Sequence, residues 1–335
     1  MQTRFDGNFS SREDCPVCSS PHYEILFSGP LTSSPVRDFI ESHYRHQEGQ
    51  LNWNKLEGVD YILCDCVDCG LIYQKHIPAA GMLHEIYDVM IGPAFLDGLE
   101  LRGLTVDNFE QIAGELDVLF RIIGKHPADT QFLDFGFGHG RFARVAVAMG
   151  AKVFATELSP EKIAHANRLG VTIIGDDAIP GMRFDIIHAE QVFEHLTHPR
   201  QDFTRLASAL APGGIMKVAV PPQLNVRRLL RAHGMIDWSP AEVQWRPDGP
   251  KKRQSRYSGY VCIQPLEHLN AYSSKAMNLL AKENNLRLIS HVRRQSVSLN
   301  TLTPGLVVRS LLQVSKVALR PVFRRDSGYY IFTPN

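Results

Sequence analysis

Short apolar segments alternate with amphipathic ones through the middle of the chain. Strands separated by helices every ~20–30 residues indicate a parallel sheet with right-handed crossovers. This pattern predicts an α/β domain of the doubly wound class. The segments predicted to form its buried strands are Phe132–Phe135, Lys152–Thr156, Val171–Ile174, Arg183–His188 and Ile215–Val220.

Further elements are predicted near the C-terminus. Ser273–Lys282 has helical apolar spacing and begins with a serine, a residue type that caps helices. Leu286–Val292 and Tyr329–Phe332 are predicted strands, and the unusually long interruption Leu299–Arg325 separates them. We expect both strands to join the same sheet.

The first predicted strand runs into three glycines at alternate positions, Gly136, Gly138 and Gly140. Because glycine has no Cβ, a ligand can approach the backbone closely at such a turn. The helix predicted from Arg141 to Met149 offers its first N–H groups to an anionic group. A dinucleotide-binding turn would be spaced G-x-G-x-x-G, which would place its third glycine at Arg141. A purely structural turn is the alternative.

A carboxylate follows the second strand. Glu157 lies at the carboxyl end of Lys152–Thr156, the end at which doubly wound sheets bind ligands. A carboxylate there can accept both hydroxyls of a ribose. The helix predicted from Ser159 to Leu169 has Ser159 as its cap. After the third strand, Gly175–Ala178 is a polar turn suited to an adenine amino group.

Five motifs taken together resemble class I S-adenosylmethionine-dependent methyltransferases over about residues 105–225. The resemblance implies a Rossmann-like, doubly wound, mostly parallel seven-stranded sheet and S-adenosylmethionine as cofactor. The motifs are Asp134-x-Gly-x-Gly-x-Gly140, the ribose acid Glu157, Phe184-Asp-Ile-Ile187, Val192-Phe-Glu-His-Leu196 and Leu210-Ala-Pro-Gly-Gly214.

The same resemblance implies the site residues. His195 is the candidate general base, because its loop faces the methyl group in this fold and a neutral imidazole can take a proton near pH 7. The alternative is that Glu194 and His195 only brace the loop. His268 is the second candidate base, and His188 is expected in the core. Residues implied to bind the cofactor are Asp134, Gly136, Phe137, Gly138, Gly140, Glu157, Leu158, Asp176, Asp177, Ala178, Glu190 and Gln191.

Two C-x-x-C pairs near the N-terminus form a second strong motif, Cys15/Cys18 and Cys66/Cys69. Each pair can direct two sulfurs at one tetrahedral ion, so the spacing predicts a structural zinc site. Disulfides or free thiols are the alternatives. Residues 1–14 are polar and lack the apolar core of a signal peptide, so we expect a reducing, cytoplasmic compartment. Cys64 and Cys262 are expected to be buried thiols, with Cys64 a possible substitute ligand.

The run Cys66-x-x-Cys69-Gly-Leu-Ile-Tyr73 resembles the N-terminal zinc ribbon of bacterial methyltransferases that modify sugars and other small molecules. The 47-residue spacer between the two pairs departs from that pattern, and we expect it to hold an inserted hairpin or helix, with Val36–Gln47 as the candidate segment. We therefore expect a zinc-ribbon domain at 1–104 and a methyltransferase domain at 105–335, with a substrate cap at 223–265.

Charge is distributed unevenly along the chain. The net charge is +1 overall, but it is −11 for residues 1–130 and +14 for residues 200–335. This asymmetry indicates an anionic partner for the C-terminal half. Arginine pairs well with phosphate, so Arg227, Arg228 and Arg231 in the predicted cap suggest a phosphorylated or nucleotide-linked substrate. The alternative is a solvated lid.

No long charge-free apolar run is present, which argues against a membrane span. Pro304–Phe323 is basic and amphipathic, and it is expected to pack on the sheet or on a second subunit in preference to lying on a membrane. A homodimer is therefore one expectation.

The sequence predicts a methyltransferase that acts on a small molecule, by resemblance a sugar or nucleotide-linked sugar in polysaccharide or secondary-metabolite synthesis. A zinc-ribbon ribosomal-RNA methyltransferase is one alternative, although Ala189-Glu-Gln191 replaces the motif that marks amino methylation of a base. A non-catalytic interaction protein is the other, and the intact glycines and Glu157 argue against it.

Overall fold

The computed structural model describes residues 7–46, 50–91, 98, 103–223, 225–235, 260–290 and 328–335. The chain divides into two compact units. Unit 1 consists of residues 1–101, 193–200 and 220–279, and unit 2 consists of residues 102–192, 201–219 and 280–335. Each unit is therefore built from separate stretches of sequence.

The strands and helices of the described residues are numbered in chain order. The strands are β1 (Phe9–Ser11), β2 (Tyr23–Pro30), β3 (Asp60–Cys66), β4 (Ile72–Gln74), β5 (His76–Pro78), β6 (Gln131–Phe135), β7 (Lys152–Thr156), β8 (Thr172–Ile173), β9 (Phe184–Glu190), β10 (Leu210–Ala219), β11 (Asn270–Ala271), β12 (Leu286–Ser290) and β13 (Tyr329–Pro334). The helices are α1 (Val36–His46), α2 (Ala80–Glu85), α3 (Val106–Ile123), α4 (Arg141–Ala148), α5 (Pro160–Arg168), α6 (Pro199–Ser208), α7 (Val226–His233) and α8 (Ser274–Glu283), and the π-helix Ile86–Met90 follows α2.

Unit 2 contains a seven-stranded sheet in the order β12-β13-β10-β9-β6-β7-β8. Strands β10, β9, β6, β7 and β8 are parallel, and β13 is antiparallel to both of its neighbours. The predicted doubly wound, mostly parallel seven-stranded sheet is thus confirmed. The two late strands form its antiparallel edge, as expected.

Local signals account for where the helices of unit 2 begin and end. The Thr105 hydroxyl accepts a hydrogen bond from Asn108 N at the start of α3, and Gly124 ends that helix with a left-handed φ of 66°. Ser159 occupies the cap position of α5, but its side chain makes no capping hydrogen bond, so the predicted serine cap is wrong in that respect. The Glu157 carboxylate instead accepts hydrogen bonds from the N–H groups of Leu158 and Ser159, directly before the helix.

A row of polar side chains crosses the three central strands of this sheet. Asp134 of β6 pairs in register with His188 of β9, and His188 pairs with Lys217 of β10. The Asp134 carboxylate lies 2.9 Å from His188 Nδ1, and Lys217 Nζ lies 3.0 Å from His188 Nε2. All three residues are buried, His188 completely, as expected for a core histidine.

Two carboxylates complete this row. Lys217 Nζ lies 3.3 Å from Glu115 of α3 and also contacts Glu190 at the end of β9. Glu115 accepts a hydrogen bond of 2.8 Å from the Tyr329 hydroxyl. A fully buried ammonium is stable only when it is paired and hydrogen-bonded, so these partners compensate its lost hydration.

Unit 1 contains a four-stranded sheet in the order β11-β4-β3-β2 and a two-stranded sheet of β1 and β5. Its apolar core is formed by residues of α1, α2, α7 and β3, with side chains such as Phe39, Tyr61 and Leu230 fully or almost fully buried. Helix α1 falls within the candidate segment Val36–Gln47 and confirms the helix alternative there.

Arg12 joins several segments of unit 1 that are distant in sequence. Its guanidinium donates hydrogen bonds to the carbonyls of Leu196 and Thr197 and to the Asn270 side chain. These contacts help to explain why residues 193–200 belong to unit 1. The expected domain boundary between residues 104 and 105 stays a prediction, since the compact units are not contiguous in sequence.

Several predictions fall outside the described residues. These are most of the cap at 223–265, Leu299–Arg325 and the amphipathic stretch Pro304–Phe323. Within the described part of the chain, no helix combines the length and the apolar character needed to cross a membrane.

Burial of Asp134 leads to a testable pH dependence. Burial raises the pKa of Asp134 to about 7, although the charge of Lys217 opposes this rise, whereas the ordinary value is 3.8. As pH rises, Asp134 loses its proton at a lower pH in the unfolded chain than in the folded chain. The contribution of Asp134 to the stability of the folded state is therefore largest below about pH 4, and this stabilisation is lost as pH rises from about 4 to 7. We expect the wild-type melting temperature to fall more steeply over this range than that of Asp134→Asn. The difference corresponds to up to about 4 kcal/mol, at about 1.4 kcal/mol per pKa unit.

The matched control is Asp117→Asn. Asp117 makes an exposed ion pair with Arg121 on α3, so its removal should leave the pH slope unchanged. Parallel melting curves for wild type and Asp134→Asn across this pH range would contradict the assignment.

Candidate functional site

The glycine turn of unit 2 is held from the neighbouring strand. The backbone N–H of Gly136 donates to Thr156 Oγ1 at 3.0 Å, and the N–H of Phe137 donates to the Thr156 carbonyl at 2.9 Å. Thr156 is the last residue of β7, so both bonds fix the turn against the carboxyl end of the sheet. The sequence analysis missed Thr156, because a threonine at a strand end carries no motif of its own.

The three glycines have different roles. A Cβ on Gly136 would lie 2.7 Å from Val192, and one on Gly140 would lie 2.4 Å from the Phe137 ring. These two glycines are therefore required by the packing of the protein itself. Gly138 has a φ of +54° and nothing within 4 Å of its Cβ position. Gly138 is thus the position at which the turn leaves room for a ligand.

Glu157 lies against this turn. Its Oε2 accepts a hydrogen bond of 3.1 Å from Gly138 N, and its Oε1 accepts bonds from the N–H groups of Leu158 and Ser159 at 2.8 and 3.0 Å. The carboxylate is therefore fixed at the carboxyl end of β7, where a ribose was predicted to bind. Leu158 beside it is 95% exposed and presents an apolar surface at the same edge.

The ends of β9 and of β8 supply the other predicted cofactor-binding residues. Gln191 follows β9 with a left-handed φ of 56°, which is uncommon for a residue other than glycine, and its N–H donates to Ala219 at 2.8 Å. Glu190 is held by Lys217. Asp176 accepts a hydrogen bond from Arg205 at 2.8 Å, and the N–H of Ala178 closes the Gly175–Ala178 turn.

Two of the predicted cofactor-binding residues are turned into the core. Asp134 is 5% exposed and bonded to His188, and Phe137 is 3% exposed with its ring beside Gly140. Both side chains support the glycine turn from its core side, and direct contact with a cofactor stays a prediction for each. Asp177 lies in the polar turn with its Oδ1 close to Gly175.

Unit 1 brings together the two histidines predicted as bases. The rings of His195 and His268 have centroids 4.9 Å apart, and His195 Nε2 lies 3.9 Å from the Glu194 carboxylate. Single ligand atoms of Glu194, His195 and His268 all lie within 4.8 Å of one another. Sequence reasoning treated the two histidines as alternatives, but they belong to one cluster.

Hydrogen bonds fix the tautomer of each histidine. His195 Nδ1 lies 3.0 Å from the Glu267 carbonyl, and His268 Nδ1 contacts the Val261 carbonyl. A carbonyl oxygen only accepts, so both Nδ1 atoms carry the proton and both Nε2 atoms keep a lone pair. Burial lowers the pKa of His195, and it lowers that of His268 to about 3, so both rings are neutral at pH 7.

Glu194 is the third member of this cluster. Its side chain is completely buried, and neither carboxylate oxygen has a hydrogen-bond partner among the described residues. Burial raises its pKa to about 8. The catalytic role of Glu194 and His195, and the alternative that they only brace the loop, both stay predictions.

The four cysteines of the C-x-x-C pairs also converge in unit 1. The Sγ atoms of Cys15 and Cys69 are 3.5 Å apart, those of Cys18 and Cys66 are 3.4 Å apart, and all four lie within 4.8 Å of one another. These distances are too long for disulfides and close to the ~3.8 Å expected between thiolates that share one zinc ion at ~2.3 Å. Zinc fits this donor set, and its presence stays a prediction.

Two of the three arginines predicted to bind phosphate, Arg227 and Arg231, lie beside carboxylates of the protein, whereas Arg228 is exposed and its role stays a prediction. Arg227 donates to both carboxylate oxygens of Asp65, at 2.5 and 2.7 Å, and to the Gly70 carbonyl at 2.8 Å. Arg231 lies 3.6 Å from Glu24. A substrate phosphate would have to compete with these carboxylates, so Arg227 supports the fold next to the cysteine cluster.

Two features define a cofactor-binding domain of the methyltransferase class. One is the strand order with its antiparallel β13, and the other is the glycine turn beside Glu157. The sequence matches the protein-family model described as "Methyltransferase domain" over residues 107–291, more than half of the chain. The chain belongs to this family, the class I S-adenosylmethionine-dependent methyltransferases. Gly138, open to a ligand, and the fixed carboxylate of Glu157 fit that cofactor.

Curated relatives match part of the chain. A "Ubiquinone biosynthesis O-methyltransferase" from Parvibaculum lavamentivorans is 30% identical over 132 residues, which cover 36% of this chain and 50% of that protein. One of the same name from Cereibacter sphaeroides is 31% identical over 153 residues, which cover 42% of this chain and 59% of that protein. The chain thus spans between half and three fifths of these relatives.

Solved structures of other methyltransferases match parts of the chain at low identity. The plantazolicin methyltransferase BpumL, in complex with a triazolic desmethylPZN analog and SAH, has a TM-score of 0.45 at 13% identity over 75% of this chain and 93% of its own. PKMT2 from Rickettsia typhi, in complex with AdoHcy, has a TM-score of 0.41 at 13% identity over 68% of this chain and 54% of its own. Likeness at this level carries no information on substrate.

Gly138 provides a direct test of cofactor binding. We expect Gly138→Val to weaken S-adenosylmethionine binding by at least about tenfold in calorimetry, because the added side chain occupies the open face of the turn. Gly124→Val is the matched control, since Gly124 also has a positive φ, +66°, and open space around its Cβ position. Both variants carry similar backbone strain, and equal cofactor affinity in the two would contradict the site.

The cysteine cluster is tested by elemental analysis. We expect one zinc ion per chain to survive dialysis against a chelator and to be lost in the Cys15→Ser/Cys69→Ser protein, since four thiolates hold zinc in a closed site. Cys64→Ser and Cys262→Ser are the controls, because both thiols are buried and lie outside the cluster. Zinc that is absent from wild type, or unchanged in the double variant, would exclude this ligand set.

Proposed function

We propose that this protein transfers the methyl group of S-adenosylmethionine to a hydroxyl group of a small molecule. The observation that carries the proposal is the cluster of Glu194, His195 and His268, with two neutral imidazoles that keep Nε2 unprotonated. The bound cofactor supplies a methyl group on a sulfonium, which is already a reactive electrophile. The protein must then position the acceptor and remove its proton.

The need for a base separates hydroxyl from amine acceptors. An amine can lose its proton to solvent before it binds, whereas a hydroxyl is a weak nucleophile until it is deprotonated during the reaction. His195 follows Gln191 by four positions in the chain, directly after the strand that ends at the cofactor edge. A neutral His195 with an open Nε2 can accept the acceptor's proton, and this supports the role predicted from the sequence.

The acceptor we propose first is a sugar or a nucleotide-linked sugar. Support comes from the Cys66-x-x-Cys69-Gly-Leu-Ile-Tyr73 run, which resembles the ribbon of sugar-modifying methyltransferases, and from the four cysteines meeting at one point. A phenolic hydroxyl is the second candidate, because the curated relatives are named ubiquinone biosynthesis O-methyltransferases. Both acceptors present a hydroxyl, so both agree with the proposed chemistry.

The activity test uses His195→Gln on a panel of nucleotide sugars and catechols with labelled cofactor. We expect kcat on the accepted hydroxyl substrate to fall by about 10²–10⁴-fold, with cofactor affinity nearly unchanged. His76→Gln is the matched control, because His76 also has its Nδ1 on a backbone carbonyl, at 2.9 Å from Asp60, but lies outside the cluster.

Three outcomes would count against the proposal. Full activity of His195→Gln on the true hydroxyl acceptor would remove His195 as the base. Transfer only to amines would exclude the hydroxyl class. Cofactor binding without transfer to any member of a broad acceptor panel would favour a non-catalytic role.

A further inference from the structure

We propose that Glu194, His195 and His268 bind a divalent transition-metal ion of the kind that zinc represents. The cluster lies in unit 1 and is separate from the four cysteines. Two imidazole nitrogens and one carboxylate are a donor set that holds such ions in proteins and leaves one coordination position open. This inference concerns the ion alone and goes beyond the proposed methyl transfer.

The orientation of both histidines supports an ion. A metal-bound histidine commonly donates its other ring N–H to a carbonyl or carboxylate, which fixes the tautomer and directs the lone pair at the metal. His195 and His268 both show this arrangement, with Nδ1 on the carbonyls of Glu267 and Val261. The Tyr87 hydroxyl also lies 3.0 Å from His195 Nδ1 and further restrains the ring.

The unsatisfied carboxylate is the second, independent observation. Glu194 is 0% exposed, and neither of its oxygens has a hydrogen-bond partner among the described residues. A buried carboxyl without partners is unfavourable, and such groups in native proteins call for an explanation. A cation held between Glu194 and the two Nε2 atoms would supply the missing partner. His195 Nε2 lies 3.9 Å from Glu194, about 0.3–0.6 Å beyond the ~3.3–3.6 Å between two tetrahedral ligands bound at ~2.0–2.2 Å, so ion binding would draw the two side chains slightly together.

A similar group of one histidine and two carboxylates in unit 2 already contains a positive charge, which is not found beside Glu194 among the described residues. Ligand atoms of Glu115, His188 and Glu190 also lie within 4.8 Å of one another. Lys217 Nζ contacts all three of these side chains, at 3.3 Å from Glu115 and 3.0 Å from His188. An ammonium therefore already provides the positive charge there. No Lys or Arg ion pair is found for Glu194 in the described part of the chain.

Manganese(II) titration of the full-length chain tests the site. The protein is first dialysed against a chelator and then freed of it, and free Mn²⁺ is followed by electron paramagnetic resonance without cofactor or acceptor. Mn²⁺ favours nitrogen and oxygen donors over thiolates, so the cysteine cluster does not compete for it. We expect one Mn²⁺ per chain, displaced by Zn²⁺ because zinc binds such donors more tightly.

The variants Glu194→Gln and His268→Gln should each weaken Mn²⁺ binding by more than about tenfold, since each removes one of three ligands. His76→Gln should leave binding unchanged. Cofactor affinity and melting temperature show whether each variant is folded, and if one fails to fold, the other variant and the wild-type titration still decide. Wild type that binds no Mn²⁺ at millimolar concentration, or folded variants with unchanged affinity, would overturn the inference.

The result is separable from the proposed function. An ion site without methyl transfer to any hydroxyl acceptor would leave the inference standing and defeat the proposed function. Methyl transfer by a protein that binds no ion would do the reverse. If both hold, His195 would hold the ion through Nε2, and the ion would supply Lewis acidity that can lower the pKa of a bound hydroxyl.

Discussion

The buried ammonium of Lys217 is the interaction on which the sheet of unit 2 most depends. It lies on β10, one of the three central strands, with no exposed surface, so its charge has to be balanced by groups on neighbouring elements. Glu115 comes from α3, Glu190 from the end of β9, and His188 links the lysine to Asp134 on β6. The Lys217 ammonium thus connects α3 to the sheet and supports the register of β6, β9 and β10. It also holds Glu190 at the carboxyl end of β9.

Much of the fold was predictable because it follows from local patterns. Apolar runs between amphipathic segments gave the parallel strands, and alternate glycines after Asp134 gave the turn. The C-x-x-C spacing likewise anticipated that the four sulfurs of Cys15, Cys18, Cys66 and Cys69 meet at one point. These features depend on a few neighbouring residues, so the sequence carries them directly.

The features that were missed arise from contacts between residues far apart in sequence. Arg12 binds the carbonyls of Leu196 and Thr197, more than 180 positions away, and no pattern near Arg12 indicates this. Arg227 was expected to bind a substrate phosphate, but it already donates two hydrogen bonds to Asp65 and others to Gln223 and the Gly70 carbonyl. In each case the sequence showed a charged side chain, and only the folded chain shows which groups accept its hydrogen bonds.

The two carboxylate–histidine groups follow the same physical rule with opposite results. His188 uses both ring nitrogens within the protein, Nδ1 toward Asp134 and Nε2 toward Lys217, and the network around it is closed. His195 and His268 each use only Nδ1 on a backbone carbonyl, next to the unpaired carboxylate of Glu194. A hydrogen-bond network in which every polar atom has a partner stabilises the fold. A network with unused lone pairs can bind a ligand, because those lone pairs gain a partner only when a ligand is present.

The carboxylate of Glu157 also has one oxygen with an unused lone pair within the described part of the chain. A carboxylate oxygen has two lone-pair positions. Oε1 accepts from both Leu158 and Ser159, which fills its positions, but Oε2 accepts only from Gly138 among the described residues. Ribose binding at Glu157 stays a prediction, and a hydroxyl bound there would find a free lone-pair position on Oε2. The backbone bonds to Glu157 thus do more than hold the carboxylate in place, because they also determine which oxygen remains available to a ligand.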